Sequence, residues 1–145
     1  MKHFFDSSVL IPAFYKFHVH HASSASLVFG TPREDCCCAL RTLGEVYSVM
    51  TGLPVRPRVT GREGIGIVEE IRRRMSIVDL SEEEYVSALR NISATIVGGA
   101  AYDALIAYCA VKAESDVLVT WNVKDFIRFG PSISRLVKTP LDLQL

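Results

Sequence analysis

Short apolar runs recur along this chain at His3–Phe5, Cys36–Leu40, Ser76–Leu80 and Val117–Thr120, with Leu136–Lys138 as a final edge strand, and the stretches between them carry helix signals. This alternation constrains the fold more than any single motif. A strand that gives way to a helix before the next strand does not close a tight hairpin, and such helical crossovers predict a mostly parallel sheet. Parallel strands are buried on both faces. The pattern predicts an α/β protein with helices on both sides of a short-stranded sheet. At 145 residues, with no repeat, low-complexity tract or linker, residues 1–145 are expected to form a single domain.

The helix boundaries are written in capping residues. Ser7 or Ser8 can cap a helix after the first run, with Pro12 tolerable only near its first turn. A second helix is predicted from His21 to about Phe29, ending at Gly30-Thr31-Pro32. Thr42-Leu43-Gly44-Glu45 has capping-box spacing and predicts a helix to about Met50. Thr60-Gly61-Arg62-Glu63 repeats the signal before a helix to about Met75, and Ser81-Glu82-Glu83-Glu84 does so again. Gly98-Gly99 breaks the chain before a helix from Tyr102 to about Ser115, and Trp121–Asp125 reads as a loop.

Lysines and arginines number 16, the same as aspartates and glutamates, so net charge gives no reason to expect a polyanionic partner. Arg72-Arg73-Arg74 is either a solvated helix end that complements the dipole or a rim that contacts phosphate. No apolar stretch approaches the ~20 residues needed to cross a bilayer, and Asp6 interrupts any secretory core, so a soluble, cytoplasmic protein without membrane association is expected. Cys36, Cys37 and Cys38 are consecutive and point alternately to opposite faces of a strand, so they cannot converge on a metal. With Cys109 they read as small buried hydrophobes in a reducing compartment.

Against this background four acidic residues stand out, because they lie at the edges of apolar elements where a lone carboxylate is costly to bury. Asp6 directly follows Phe4-Phe5 and reads either as a turn residue or as a metal ligand oriented by Ser7 and Ser8. Glu45 either reaches back to the Thr42 amide or sits at a helix start near a strand end. Asp103 precedes Ala104-Leu105-Ile106-Ala107-Tyr108-Cys109-Ala110-Val111, a helix apolar all round and therefore buried. Asp125 lies five residues after Thr120 and either caps the Phe126-Ile127 turn or joins the others. Thr120 and Asn122 add short polar groups suited to holding water at the same strand mouth. A shared hard cation would relieve all four, and a carboxylate pocket of that kind points to phosphoryl chemistry. In an open α/β sheet such a pocket belongs beyond the carboxyl ends of the strands.

Other motifs carry less. Gly64-Ile65-Gly66 lacks a dinucleotide fingerprint's third glycine, there is no phosphate-binding Gly-Lys-Ser/Thr, and His18, His20 and His21 lack metal-ligand spacing and read as surface.

Taken together, Phe4-Phe5-Asp6-Ser7-Ser8-Val9-Leu10-Ile11, Gly44-Glu45-Val46-Tyr47, Tyr102-Asp103-Ala104-Leu105-Ile106-Ala107 and Leu118-Val119-Thr120-Trp121-Asn122-Val123-Lys124-Asp125-Phe126 resemble the four motifs of PIN domains, in order and over nearly the whole chain. The similarity is greatest to the VapC toxins of toxin–antitoxin pairs. Gly44, where alanine is common, is a mild departure. The resemblance implies a three-layer α/β/α fold with a mostly parallel sheet and an endoribonuclease dependent on Mg²⁺ or Mn²⁺. By position, Asp6 and Asp103 match the metal ligands, while Glu45 and Asp125 complete the pocket directly or through water. Ser7, Thr120 and Asn122 match supporting positions. The resemblance also implies a homodimer and a cognate antitoxin, bound by residues about Phe14 to Phe29 and Pro54 to Met75.

On this reading one or two cations bind a phosphate oxygen of RNA and lower the pKa of a water that attacks phosphorus in line, leaving 5′-phosphate and 3′-hydroxyl ends. Without metal the carboxylates repel, so at least one should hold its proton above the usual carboxylate range. Two other classes use similar parts: a receiver-like signalling domain, which needs paired acids after its first strand where this chain has serines, and a non-catalytic scaffold that binds RNA or protein.

Overall fold

A computed structural model describes residues 1–144. Strands β1 (His3–Phe5), β2 (Cys36–Ala39), β3 (Ser76–Val78), β4 (Val117–Val119) and β5 (Val137–Lys138) form one sheet in the order β3-β2-β1-β4-β5. Every pairing is parallel, with His3 opposite both Cys36 and Val117. Around the sheet run α1 (Ser7–Phe14), α2 (His21–Gly30), α3 (Leu40–Gly52), α4 (Gly61–Arg74), α5 (Glu82–Ile92), α6 (Ala100–Lys112), α7 (Val123–Ile127) and α8 (Pro131–Ser134). Among the described residues no helix is long and apolar enough to cross a membrane.

The period of two along each strand divides the core into two layers. Phe5, Cys36, Cys38, Val117 and Val119 face a cluster with Val9, Leu10, Val28, Val46, Met50 and Ile71 from α1 to α4. Phe4, Cys37, Ala39 and Leu118 face the other way, onto Ile106, Ala107 and Ala110 of α6 and Phe126 and Ile133 beyond it. The three-layer α/β/α expectation holds, and the cysteines split between the layers as alternation requires. All four are free and buried, and burial pushes the Cys36 thiol up to about 11 and the Cys38 thiol up to about 12. They pack as small apolar groups.

Chain direction sets the place of the site. From β1 the chain moves to β2 and then outward to β3, and afterwards returns to place β4 on the opposite side of β1. The strand order therefore reverses between β1 and β4. Crossovers leave from that point in opposite directions and open a crevice at the carboxyl ends of those two strands.

Two capping boxes form as their spacing predicts, Thr60 with Glu63 and Ser81 with Glu84. The third does not. Helix α3 begins at Leu40, directly from β2, and its cap residue Ala39 offers no side-chain hydrogen bond. Thr42 is thus inside the first turn and completely buried, its hydroxyl without a partner among the described residues. Packing of α3 against the sheet overrides the local capping signal. Pro12 lies inside α1, which runs on to Phe14, and β3 stops at Val78 rather than Leu80.

Candidate active site

Asp6 ends β1 and caps α1, which neither Ser7 nor Ser8 does. Its Oδ2 accepts from the Ser8 amide at 3.4 Å and from the Thr120 hydroxyl at 2.9 Å. The residue is buried, and its backbone N–H donates to the Val119 carbonyl at 3.0 Å, so the ends of β1 and β4 are stitched together here. Ser8 extends the network: its Oγ lies 3.1 Å from Thr120 Oγ1 and accepts the Trp121 amide at 2.9 Å. The indole of Trp121 donates to Ser24 Oγ at 2.9 Å and stacks on His20 with ring centroids 3.9 Å apart. His20 is therefore a packed residue rather than a free surface histidine. Asn122 is exposed and contributes its backbone N–H to Thr120 Oγ1 at 2.9 Å.

Glu45 sits in the second turn of α3, and the Thr42 reach-back is absent. Its Oε2 accepts from Ser7 Oγ at 2.9 Å, and its Oε1 lies 3.4 Å from Arg41 Nε, one turn earlier on the same helix. Asp103 projects from the first turn of α6, where the dipole favours a negative charge. Asp125 is in the first turn of α7, with Asn122 at the cap position, so it caps nothing. Its backbone carbonyl accepts Arg128 Nε at 3.0 Å, and Arg128 Nη2 reaches to 3.6 Å from Asp103 Oδ2.

These placements bring the four carboxylates into one field. The Asp103 carboxyl is pushed up to about 6, first by burial, then by the charges of Asp6 and Asp125 and more weakly by Glu45; the Arg128 guanidinium opposes the rise. Charges act at this strength only across a short, partly desolvated gap. Among the described residues, however, no three carboxylate, imidazole or thiolate side chains stand close enough to share one ion as they are. The quartet is an electrostatic cluster and not a closed cage.

Two participants lay outside the sequence reading, Arg41 and Arg128 as counter-ions, while Ser8, expected to orient Asp6, also serves as the hub at the strand mouth. Arg41 precedes Glu45 by one helical turn, a spacing that pairs side chains on a helix, and was legible in principle. Arg128 was not, because the carboxylate it reaches is on another helix.

No protein-family model matches the chain. Ribonuclease VapC27 of Mycobacterium tuberculosis is 32% identical over 114 residues, covering 77% of this chain and 79% of that protein. Among solved structures, Mycobacterium tuberculosis VapC20, described as a toxin that cleaves the sarcin–ricin loop, superposes with a TM-score of 0.67 over 86% of this chain and 92% of that one, at 12% identity. VapBC-1 of nontypeable Haemophilus influenzae gives 0.64 over 97% and 99%, at 18% identity. At those identities the structures speak for the fold alone. The VapC27 match, spread over most of both chains, goes further: this chain belongs to the PIN-domain family of VapC ribonuclease toxins.

Proposed function

We propose that the chain is a divalent-cation-dependent endoribonuclease and the toxin of a toxin–antitoxin pair, with Asp6, Glu45, Asp103 and Asp125 as its acidic centre. One observation carries the reading. In a chain of net charge zero, the charges of three further carboxylates bear on Asp103 near the strand-order reversal. A charge cluster of this kind is unfavourable for the fold by itself and calls for a cation.

The donor set fits Mg²⁺ or Mn²⁺. All four groups are hard oxygens, and Mg²⁺ commonly takes only one or two carboxylates and keeps several waters, so an open cluster suits it better than a cage. Asp6 and Asp103 are the direct ligands of this proposal, with Glu45 and Asp125 acting through water. When bound, the cation supplies charge neutralisation at the scissile phosphate and makes water a better nucleophile near neutral pH.

The chain's own residues do the remaining work. Thr120 and Ser8 hold Asp6 by Oδ2, and among the described residues no hydrogen bond falls on Oδ1, which leaves that oxygen for a ligand. Ser7 holds Glu45 by Oε2, with Arg41 as an exposed counter-ion beside its Oε1. Asp103, with its pKa near 6, binds a proton in competition with a cation, so cation affinity should fall as pH drops through that value.

The antitoxin has a matching surface. An open, largely apolar groove of about 950 Å³ runs between the α1–α2 turn and α4, lined by Phe14, Tyr15, Phe17, Met50, Val59 and Ile67. An amphipathic helix laid on that groove would bury its apolar face, with Lys16, Arg56, Glu63 and Glu70 at the margin. VapBC-1, a toxin–antitoxin complex of the same fold, supports an antitoxin as the partner. A homodimer and a cytoplasmic setting complete the proposal, the latter in keeping with the four free thiols.

The test is cleavage of total RNA by the purified chain with Mn²⁺ and with EDTA. Cleavage with Mn²⁺ only, ends bearing 5′-phosphate and 3′-hydroxyl, and loss of activity in Asp6→Asn and Asp103→Asn with the fold retained are expected. Undiminished cleavage in EDTA or in either variant would refute the assignment.

A further inference from the structure

An RNA strand approaching this site meets a cluster of negative charge, on a protein with no net positive charge to attract it. The Arg72-Arg73-Arg74 run does not offset this, because it ends α4 just before β3, at the amino ends of the parallel strands and so at the opposite edge of the sheet from the site, where it pairs with Glu69 and Glu70 of its own helix. The reading of that run as a solvated helix end is the one the structure supports. Two other arginines stand at the carboxylates themselves. Arg41 pairs with Glu45 at 3.4 Å, and Arg128 lies 3.6 Å from Asp103.

We propose that Arg41 and Arg128 are phosphate-positioning residues: counter-ions of Glu45 and Asp103 while the site lacks a cation, and grips on the RNA backbone once a cation replaces them. This rests on the nuclease reading above and extends it to named substrate contacts.

Charge accounting motivates it. Four ionised carboxylates carry a formal charge of −4; one divalent cation returns half of that, and the two guanidiniums return the other half. With cation and arginines together the centre is neutral and tolerates a phosphate; with the cation alone it remains repulsive.

Geometry allows the exchange. The side chains of Arg41 and Arg128 are 52% and 40% exposed, and exposed ion pairs hold weakly, so releasing them costs little. Each guanidinium also has a support that does not depend on its carboxylate. Arg41 lies over the Tyr102 ring at 3.9 Å, beside Asp103 in sequence, and Arg128 donates from Nε to the Asp125 carbonyl, an anchor that leaves its Nη donors to meet Asp103 or a phosphate. A planar guanidinium offers paired donors that match a phosphate's oxygens. Arg41 moreover lines an open groove of about 630 Å³ along α3 with Leu40, Gly44, Glu45, Ser48 and Val49 and with Asp79 just after β3, so that Glu45 belongs both to this groove and to the acidic centre. A nucleotide flanking the cut would lie there.

The experiment compares wild type with Arg41→Gln, Arg128→Gln, the double variant and the two Arg→Lys variants, each checked for unchanged thermal unfolding. Binding of a fluorescein-labelled unstructured RNA is measured by anisotropy across a salt series, in EDTA and in Ca²⁺. The expected result is a wild-type salt slope that steepens in Ca²⁺ and loses about 0.7 for each Arg→Gln in Ca²⁺ only, with Lys restoring the slope. In Mn²⁺ cleavage assays KM should rise about tenfold per Arg→Gln while kcat changes little, the pattern of lost uniform binding. Equal slopes in wild type and double variant, or variants that bind less in EDTA and Ca²⁺ alike, overturn the proposal. Wild type that binds RNA as described but never cleaves it overturns the nuclease reading instead.

Discussion

Replacing Asp103 by asparagine should stabilise the fold, and only above a definite pH. The carboxyl ionises near 3.8 in an unfolded chain and near 6 in the folded one, so between those values the folded state binds the extra proton. Stability of the wild type therefore falls as pH rises through this window and stays lowered above it. At full weight a displacement from 3.8 to about 6 is worth about 3 kcal/mol. The Asp103 side chain is 35% exposed, and solvent screening reduces the figure to about 1–2 kcal/mol. Asparagine keeps the shape, does not titrate and removes the repulsion. Urea unfolding in EDTA, followed by the fluorescence of Trp121, the chain's single tryptophan, reads the difference directly. At pH about 7.5 the midpoint of Asp103→Asn should lie about 0.5–1 M above wild type, and the gap should close toward pH about 4. A variant less stable than wild type at neutral pH, or a gap independent of pH, would show that Asp103 does not feel the other carboxylates.

Gly64 and Gly66, the fourth and sixth residues of α4, should respond to substitution with opposite signs. A Cβ at Gly64 would lie 2.8 Å from the Thr51 methyl, whose hydroxyl is tied to the Tyr47 carbonyl, so Gly64→Ala should cost about 1–2 kcal/mol by overpacking. Gly66 has nothing within 4 Å, and Gly66→Ala should gain about 0.5–1 kcal/mol from helix propensity; thermal unfolding checks both. Thr42→Val replaces a buried, unpartnered hydroxyl with an isosteric methyl and should raise stability by about 1 kcal/mol in urea unfolding. Ser24→Ala removes the acceptor of the Trp121 indole N–H, and the emission of Trp121 should change while the far-ultraviolet dichroism does not.

What was legible in the sequence followed from long patterns, and what was not depended on tertiary competition. The strand and helix alternation and the capping boxes at Thr60 and Ser81 are local, and they formed as read. At Thr42 the same signal failed because α3 leaves β2 without a loop, which carries that threonine into the core. The order of strands, and hence the reversal between β1 and β4, could not be read from periodicity, since alternation fixes direction but not neighbours. For the site, the apolar settings of Asp6 and Asp103 marked them correctly as carboxylates under constraint. Asn122 was read as a side chain at the strand mouth, whereas the contact it makes with Thr120 is through its backbone. Arg128 was passed over because its partner Asp103 is distant in sequence, on another helix. Ser8 stitches β1 to β4 through Thr120 and Trp121, a contact that exists only once the two strands are neighbours.

The account depends most on a cation seated among side chains from α3, α6, α7 and the end of β1. Anomalous scattering from a crystal of the protein soaked in Mn²⁺ tests this most directly. The account predicts one or two peaks at the mouth of β1 and β4, touching oxygens of Asp6 and Asp103 and lost in Asp6→Asn. A peak seated elsewhere, or none there at a concentration that supports RNA cleavage, would contradict it.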